Sequence, residues 1–229
     1  MNSQISLNSK TFYQNSGNRS ILQFLDESDR HILDIGCGAG SNGQLICETY
    51  PKTEVTGVTC SQEEYQLASQ QLSRCIYADV ERDIFTLEQQ FDVLLFCHVL
   101  EHLVDPVAAI KKLLPYLRVG GKLIIALPNI ANWRSRSNLL LGKFEYTDGG
   151  IMDKTHLHFY TFHTAPLYLI TPISQLRIEQ HFASGSFPFG RLRDKLLGER
   201  ARKEMDRLVC GWLPNLFSHE ILMQAVKIN

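Results

Sequence analysis

Two groups of residues in this 229-residue chain have types and spacings that carry chemistry. In the first, Asp34 precedes Gly36, Gly38 and Gly40, set at alternate positions, and Ser41 opens a helical stretch. Glycines so spaced let the backbone turn tightly and approach a ligand, while the free N–H groups and positive dipole end of the helix favour an anion. That is the chemistry of holding a nucleotide-like molecule. The second group is histidines: His98 and His102 lie four apart, His156 and His158 two apart. An imidazole near neutral pH can take a proton from a hydroxyl or ammonium nucleophile, an effect typically worth about 10²–10⁴-fold in rate.

Gly38 to Gly43 also satisfies G-x-G-x-x-G, the dinucleotide fingerprint. Asp34 argues against that ligand, because a pyrophosphate would be repelled by the carboxylate whereas an ammonium group would be attracted. S-adenosylmethionine carries such an ammonium. The stretch HILDIGCGAG resembles motif I of class I S-adenosylmethionine-dependent methyltransferases. The resemblance implies that Asp34, Gly36, Cys37, Gly38 and Gly40 bind the cofactor. Thr59 stands where the family usually has an acidic residue on the ribose; cyclopropane fatty acid synthases look similar here, and Glu64, one helical turn on, can supply the missing acceptor. Asp79 matches the position that accepts from the adenine amino group, with Val80 beside it. Cys97 opens CHVLEHLVDP, similar to the LEH-plus-DP segment of small-molecule methyltransferases, including the O-methyltransferases of ubiquinone biosynthesis. The resemblance runs from residue 11 to residue 165 and returns at the last strand.

Such residues need a scaffold that brings strand ends together. Ile32, Leu33 and Ile35 form an apolar strand; Val55 to Val58, Ile76 to Ala78, Phe91 to Phe96 and Lys122 to Leu127 give four more. Helices are expected before the first strand (Ile21, Leu22, Leu25) and over Ser41–Thr49, Gln62–Leu72 and Asp105–Tyr116, with Ser61 and Asp105-Pro106 as start signals. Strands follow at Leu176–Phe182 and His219–Ile228, with a basic amphipathic helix from Leu192 to Val209 between them. The pattern predicts an α/β fold: a doubly wound, Rossmann-like domain with a mostly parallel seven-stranded sheet and an antiparallel last strand. Its ligands should lie at the carboxyl ends of the strands. Residues 1–229 are expected to be a single domain, with 1–16 as a lid carrying Tyr13 and 128–161 as a substrate-recognition insertion.

That insertion resembles a stretch found in methyltransferases of natural-product and polysaccharide pathways, and in a methyltransferase-like accessory protein of methionine biosynthesis. Within THLHFYT an extended chain puts His156, His158 and Tyr160 on one face and Leu157 and Phe159 on the other. His156 is the expected general base, with His98 and His102 as alternatives. A metal reading of the four histidines finds no carboxylate or thiol to complete a ligand set, so no metal is assigned. A purely structural role suits His163, and His158 as well. Trp133, Arg134 and Arg136 either clamp an acidic or planar substrate or form a helix start with surface arginines. Tyr13, Asn129, Trp133, Arg134, His158 and Tyr160 make up the expected substrate site.

Composition excludes other classes. A net charge of −1 gives no general attraction to nucleic acid or an anionic membrane, and no apolar run approaches a membrane span. The six cysteines form no C-x-x-C pair and read as reduced thiols of a cytoplasmic protein. The expected activity is methyl transfer from S-adenosylmethionine to an oxygen, or a nitrogen, of a small molecule, with the oligomeric state open. The alternatives are an accessory protein that binds a partner enzyme and, disfavoured by Asp34, an NAD-dependent oxidoreductase.

Overall fold

The computed structural model describes residues 17–188 and 198–229. Seven strands form one sheet: β1 (His31–Ile35), β2 (Glu54–Thr59), β3 (Arg74–Tyr77), β4 (Phe91–Cys97), β5 (Leu117–Pro128), β6 (Leu176–Gly185) and β7 (Ser218–Lys227). Their spatial order is β3-β2-β1-β4-β5-β7-β6, and β7 is antiparallel to both of its neighbours. The strand order reverses between β1 and β4, so the crevice for ligands opens at their carboxyl ends.

The central strands are buried on both faces, as their continuous apolar runs require; all seven residues of β4 are buried. One face of the sheet is covered by α3 (Pro106–Leu113) and α5 (Thr164–Leu169), through Ile110, Leu113, Ala165 and Leu169. The other is covered by α1 (Ser41–Thr49), α2 (Gln62–Gln71) and a 3₁₀ turn, Arg19–Phe24, through Ile46, Ala68, Ile21 and Phe24. Ser61 accepts from Glu64 N at the start of α2, and Asp105 accepts from Ala108 N at the start of α3. Beyond β5 lie α4 (Trp133–Leu140) and α5, and α6 (Glu199–Trp212) and α7 (Pro214–Phe217) precede β7.

Three expectations differ in detail. The helix before β1 is a 3₁₀ turn, and α3 gives way to 3₁₀ geometry at Leu114–Tyr116, where Pro115 offers no N–H to an α-helical ladder. The described part of the basic helix begins at Glu199 and continues to Trp212, stopping before Pro214. The proposed lid, Tyr13 included, lies outside the described residues. Among the described residues no helix is long and apolar enough to cross a membrane.

Candidate functional site

The glycine loop folds over the end of β2. Gly36 N and Cys37 N donate to Val58 O at 2.8 and 3.0 Å, and Gly40 N donates to Cys37 O at 2.9 Å. Gly36, Gly38 and Gly40 have φ of 67°, 54° and 94°, the left-handed region that L side chains avoid. A Cβ on Gly36 would come within 2.4 Å of Val99, whereas at Gly38 it would meet nothing within 4 Å. Gly38 is therefore the open side of the loop.

Asp34 is fully buried and neither of its carboxylate oxygens has a hydrogen-bond partner. Burial alone pushes its carboxyl up to about 7. A buried carboxylate without a donor is a standing cost, which a cationic group brought to this position would relieve. Cys37 and Cys97, which Asp34 influences electrostatically, are held as thiols by burial, Cys97 at about 12. At the end of β2, Thr59 Oγ1 donates to Glu64 Oε2 at 2.8 Å, so the carboxylate lies beside the residue expected at the ribose. Asp79 uses Oδ1 to accept from Glu81 N and Arg82 N, leaving Oδ2 3.6 Å from Arg82 Nε. The Val80 side chain belongs to the core, so only its backbone is available to a ligand.

The histidines gather after β4. His98, with φ of 57°, is the one non-glycine among the described residues in the left-handed region. Its Nε2 lies 2.9 Å from Glu220 Oε1, the oxygen that also accepts from Asn18 Nδ2, and its Nδ1 lies 3.5 Å from Glu101 Oε1. Burial pulls the His98 imidazolium down, but Glu101 and Glu220 outweigh it and raise the group to about 9. A raised pKa makes His98 less suited than His156 to accept a proton at neutral pH.

Glu101, absent from the residues singled out by spacing, is at the centre. It is 0 % exposed, both carboxylate oxygens lack a hydrogen-bond partner, and Oε1 lies 3.9 Å from His156 Nε2. Its backbone carbonyl accepts from Leu157 N and His158 N, which ties the insertion to the end of β4. The His156 side chain is 5 % exposed, with Nδ1 3.1 Å from Ile151 O. Burial lowers its pKa against the opposing charge of Glu101, so this imidazole is neutral. His102 stacks edge-on against it, with ring centroids 4.7 Å apart. One ligand atom from each of Glu101, His102 and His156 lies within 4.8 Å of the others. That overturns the sequence argument against a metal, since a carboxylate does complete the set.

THLHFYT is not a strand, although Leu157 and Phe159 do point outward. His158 Nε2 lies 3.3 Å from Val104 O, a structural position. Tyr160 is 4 % exposed and packed in the core, its phenol raised to about 12 by burial with a contribution from Glu101. Asn129 is also corrected: fully buried, it donates to Ser218 O and Ser218 Oγ and accepts from Ala131 N, so its side chain fastens loops and does not face a substrate. Asn132 caps α4 through Arg134 N and Ser135 N, and the Arg134 guanidinium lies 5.4 Å from the Trp133 ring centroid, the helix-start arrangement. Glu220 and Asn18 were also missed: each reaches the site only through the sheet topology and carries no local motif. Glu101 did have a signal, its place inside LEH.

A family described as a methyltransferase domain matches residues 33–123. The trans-aconitate 2-methyltransferase of Klebsiella pneumoniae is 29 % identical over 111 residues, 48 % of this chain and 43 % of that protein. The ubiquinone biosynthesis O-methyltransferase of Coxiella burnetii is 30 % identical over 154 residues, 64 % of this chain and 63 % of that one. The chain thus spans less than two thirds of the length of these relatives. A crystal structure of a SAM-dependent methyltransferase from Archaeoglobus fulgidus superposes with a TM-score of 0.62, covering 91 % of both chains at 18 % identity, which establishes the shared fold.

Proposed function

We propose, on the premise that the chain belongs to the class I S-adenosylmethionine-dependent methyltransferases, that it transfers a methyl group from that cofactor to an oxygen of a small molecule. The observation that carries the proposal is Asp34, a fully buried carboxylate without a partner beside a glycine loop whose Gly38 side is open. The residues fit the cofactor: Asp34 suits its ammonium, Glu64 and Thr59 its ribose hydroxyls, and Asp79 Oδ2 its adenine amino group. When bound, it supplies an electrophilic methyl on a sulfonium.

The chain itself supplies position and proton handling. His98, Glu101 and His102 follow β4, the strand next to β1, so the cluster borders the crevice that the glycine loop opens. His156 is the residue on which loss of the acceptor's proton depends, being neutral and held by its Nδ1 contact to Ile151 O. Similarity to an O-methyltransferase of ubiquinone biosynthesis supports oxygen over nitrogen as the acceptor. Residues 128–161 are read as the segment that recognises it, within one domain built on the single sheet.

The test is His156→Ala. Calorimetry should find S-adenosylmethionine affinity within about twofold of the parent, and single-turnover transfer of labelled methyl should fall about 10²-fold or more, the scale of lost assistance to the acceptor's deprotonation. Unchanged transfer would reject the role of His156; tight NAD binding with no S-adenosylmethionine signal would reject the function.

A further inference from the structure

We infer that Glu101, His102 and His156 form a binding site for one divalent transition-metal cation. The proposal rests on the reading above, that the acceptor oxygen meets this cluster, and it makes His156 a ligand.

The argument starts from protons. Thr155 Oγ1 donates to Asp153 Oδ1 at 2.6 Å, so toward His102 Nδ1, 3.0 Å away, the hydroxyl can only accept. His102 therefore carries its hydrogen on Nδ1, also 3.3 Å from Thr155 O, and its Nε2 keeps a bare lone pair. His156 Nδ1 faces the carbonyl of Ile151, which accepts and cannot donate, so its hydrogen is on Nδ1 and its Nε2 is bare too. That Nε2 points at Glu101 Oε1 across 3.9 Å. A bare lone pair on each imidazole and a buried carboxylate with two unsatisfied oxygens thus belong to three residues that each bring a ligand atom within 4.8 Å of the others, and none of the three brings a hydrogen to share.

Such an assembly is what a cation organises. Metal-bound histidines commonly give their second N–H to a carbonyl or, through a relay, to a carboxylate, as His156 does to Ile151 and His102 does through Thr155 to Asp153. Donors at roughly 2.0–2.2 Å from one ion lie about 3–4 Å from each other, so the 4.8 Å span closes with side-chain shifts of about 1 Å. His98 does not remove the need. Its Nδ1 is 3.5 Å from Glu101 Oε1 and makes no hydrogen bond there, and the same ring serves Glu220, so two buried carboxylates share one imidazole. Two imidazoles and one carboxylate suit a borderline divalent cation and leave coordination positions open. An acceptor hydroxyl bound there would lose its proton more readily, because the cation stabilises the alkoxide or phenolate left behind.

The experiment reads metal binding directly. Chelator-stripped protein is titrated with Mn²⁺ by electron paramagnetic resonance and with Zn²⁺ by equilibrium dialysis and elemental analysis. One ion per chain is expected, weakened at least about tenfold in Glu101→Gln, His102→Ala and His156→Ala alike. Asp34→Asn, on the cofactor side, should bind the ion as the parent does. Thermal unfolding with and without Mn²⁺ guards against misfolding: a variant that keeps its basal Tm but loses the ion-induced rise supports the site. No stoichiometric ion at millimolar concentration, or binding that survives both Glu101→Gln and His156→Ala, overturns it. S-adenosylmethionine titration of the stripped parent is scored separately, so the metal site can fail while the methyltransferase reading stands.

Discussion

Replacing Asp34 with asparagine should stabilise the ligand-free protein, and by an amount that depends on pH. The folded carboxyl titrates at about 7 against an ordinary value of 3.8, so folding raises its proton affinity by about three pH units and costs the charged form about 4 kcal/mol at 1.36 kcal/mol per unit. The sign follows from which state binds the proton. Between about pH 4 and about pH 7 the unfolded chain has released it and the folded chain has not, so this group's contribution is complete below pH 4. It declines as pH rises and is exhausted above 7. Asp34→Asn removes that slope while leaving every other carboxylate in place. Urea denaturation of parent and variant near pH 4 and near pH 8 should show the difference moving in favour of the variant by up to about 4 kcal/mol at the higher pH. With cofactor the gap at the higher pH should narrow. At about 100 times its Kd a ligand adds about 2.7 kcal/mol of stability to the parent. The variant, lacking the charge for the ammonium, should gain little of it. A parent–variant gap equal at both pH values would refute the reasoning.

Other substitutions separate the roles within the loop and its surroundings. Gly38→Ala should cost about 1–2 kcal/mol, the backbone penalty alone, because space is open around it. Gly36→Ala should unfold much more easily, since its Cβ would sit 2.4 Å from Val99; equal thermal shifts for the two would contradict that geometry. Thr59→Asp would restore the acidic residue usual at the ribose position but set it against Glu64, now 2.8 Å from Thr59 Oγ1, so a loss of affinity is expected in calorimetry. Glu64→Gln should weaken binding about tenfold, and tighter binding in either would displace Glu64 from the ribose. Asn129→Ala should lower stability by about 2–3 kcal/mol in chemical denaturation, because Ser218 O and Ala131 N lose their side-chain partner, yet leave S-adenosylmethionine affinity unchanged. A Kd that moved with stability intact would return Asn129 to the binding site.

The parts legible in the sequence are those written in local pattern. FDVLLF could only be a strand covered on both faces, and Asp34 with alternate glycines could only be a strand-to-loop turn, because both rest on periodicity and backbone sterics. Residues made functional by topology were not legible. Glu220 sits near the start of β7 and reaches His98 only because that strand runs backward in the sheet. Glu101 was hidden differently: an acidic residue in a short helical turn reads as solvated until its burial is known. THLHFYT kept its alternation without being a strand, because two of its amides bind the Glu101 carbonyl and not a neighbouring strand. Asn129 looked exposed and polar at a strand end, yet its donors and acceptor are used within the loops it joins.

The inverted strand β7 also shapes how the chain is made. It lies between β5 and β6, pairing with Pro128 through Glu220 on one side and with Ser184 through Glu220 on the other. Until the ribosome has released that stretch, β5 presents an open edge whose Leu123 to Leu127 backbone has no partner there, the kind of edge that recruits foreign strands. The segment that matches the methyltransferase domain, residues 33–123, can therefore be synthesised well before the sheet is closed. Glu220 then arrives with the strand that seals it, so the His98 contact is completed by the same event that hides the sticky edge. Truncations or slow codons ahead of residue 218 should produce insoluble protein, and the nascent chain should depend on chaperones for as long as that edge stays open.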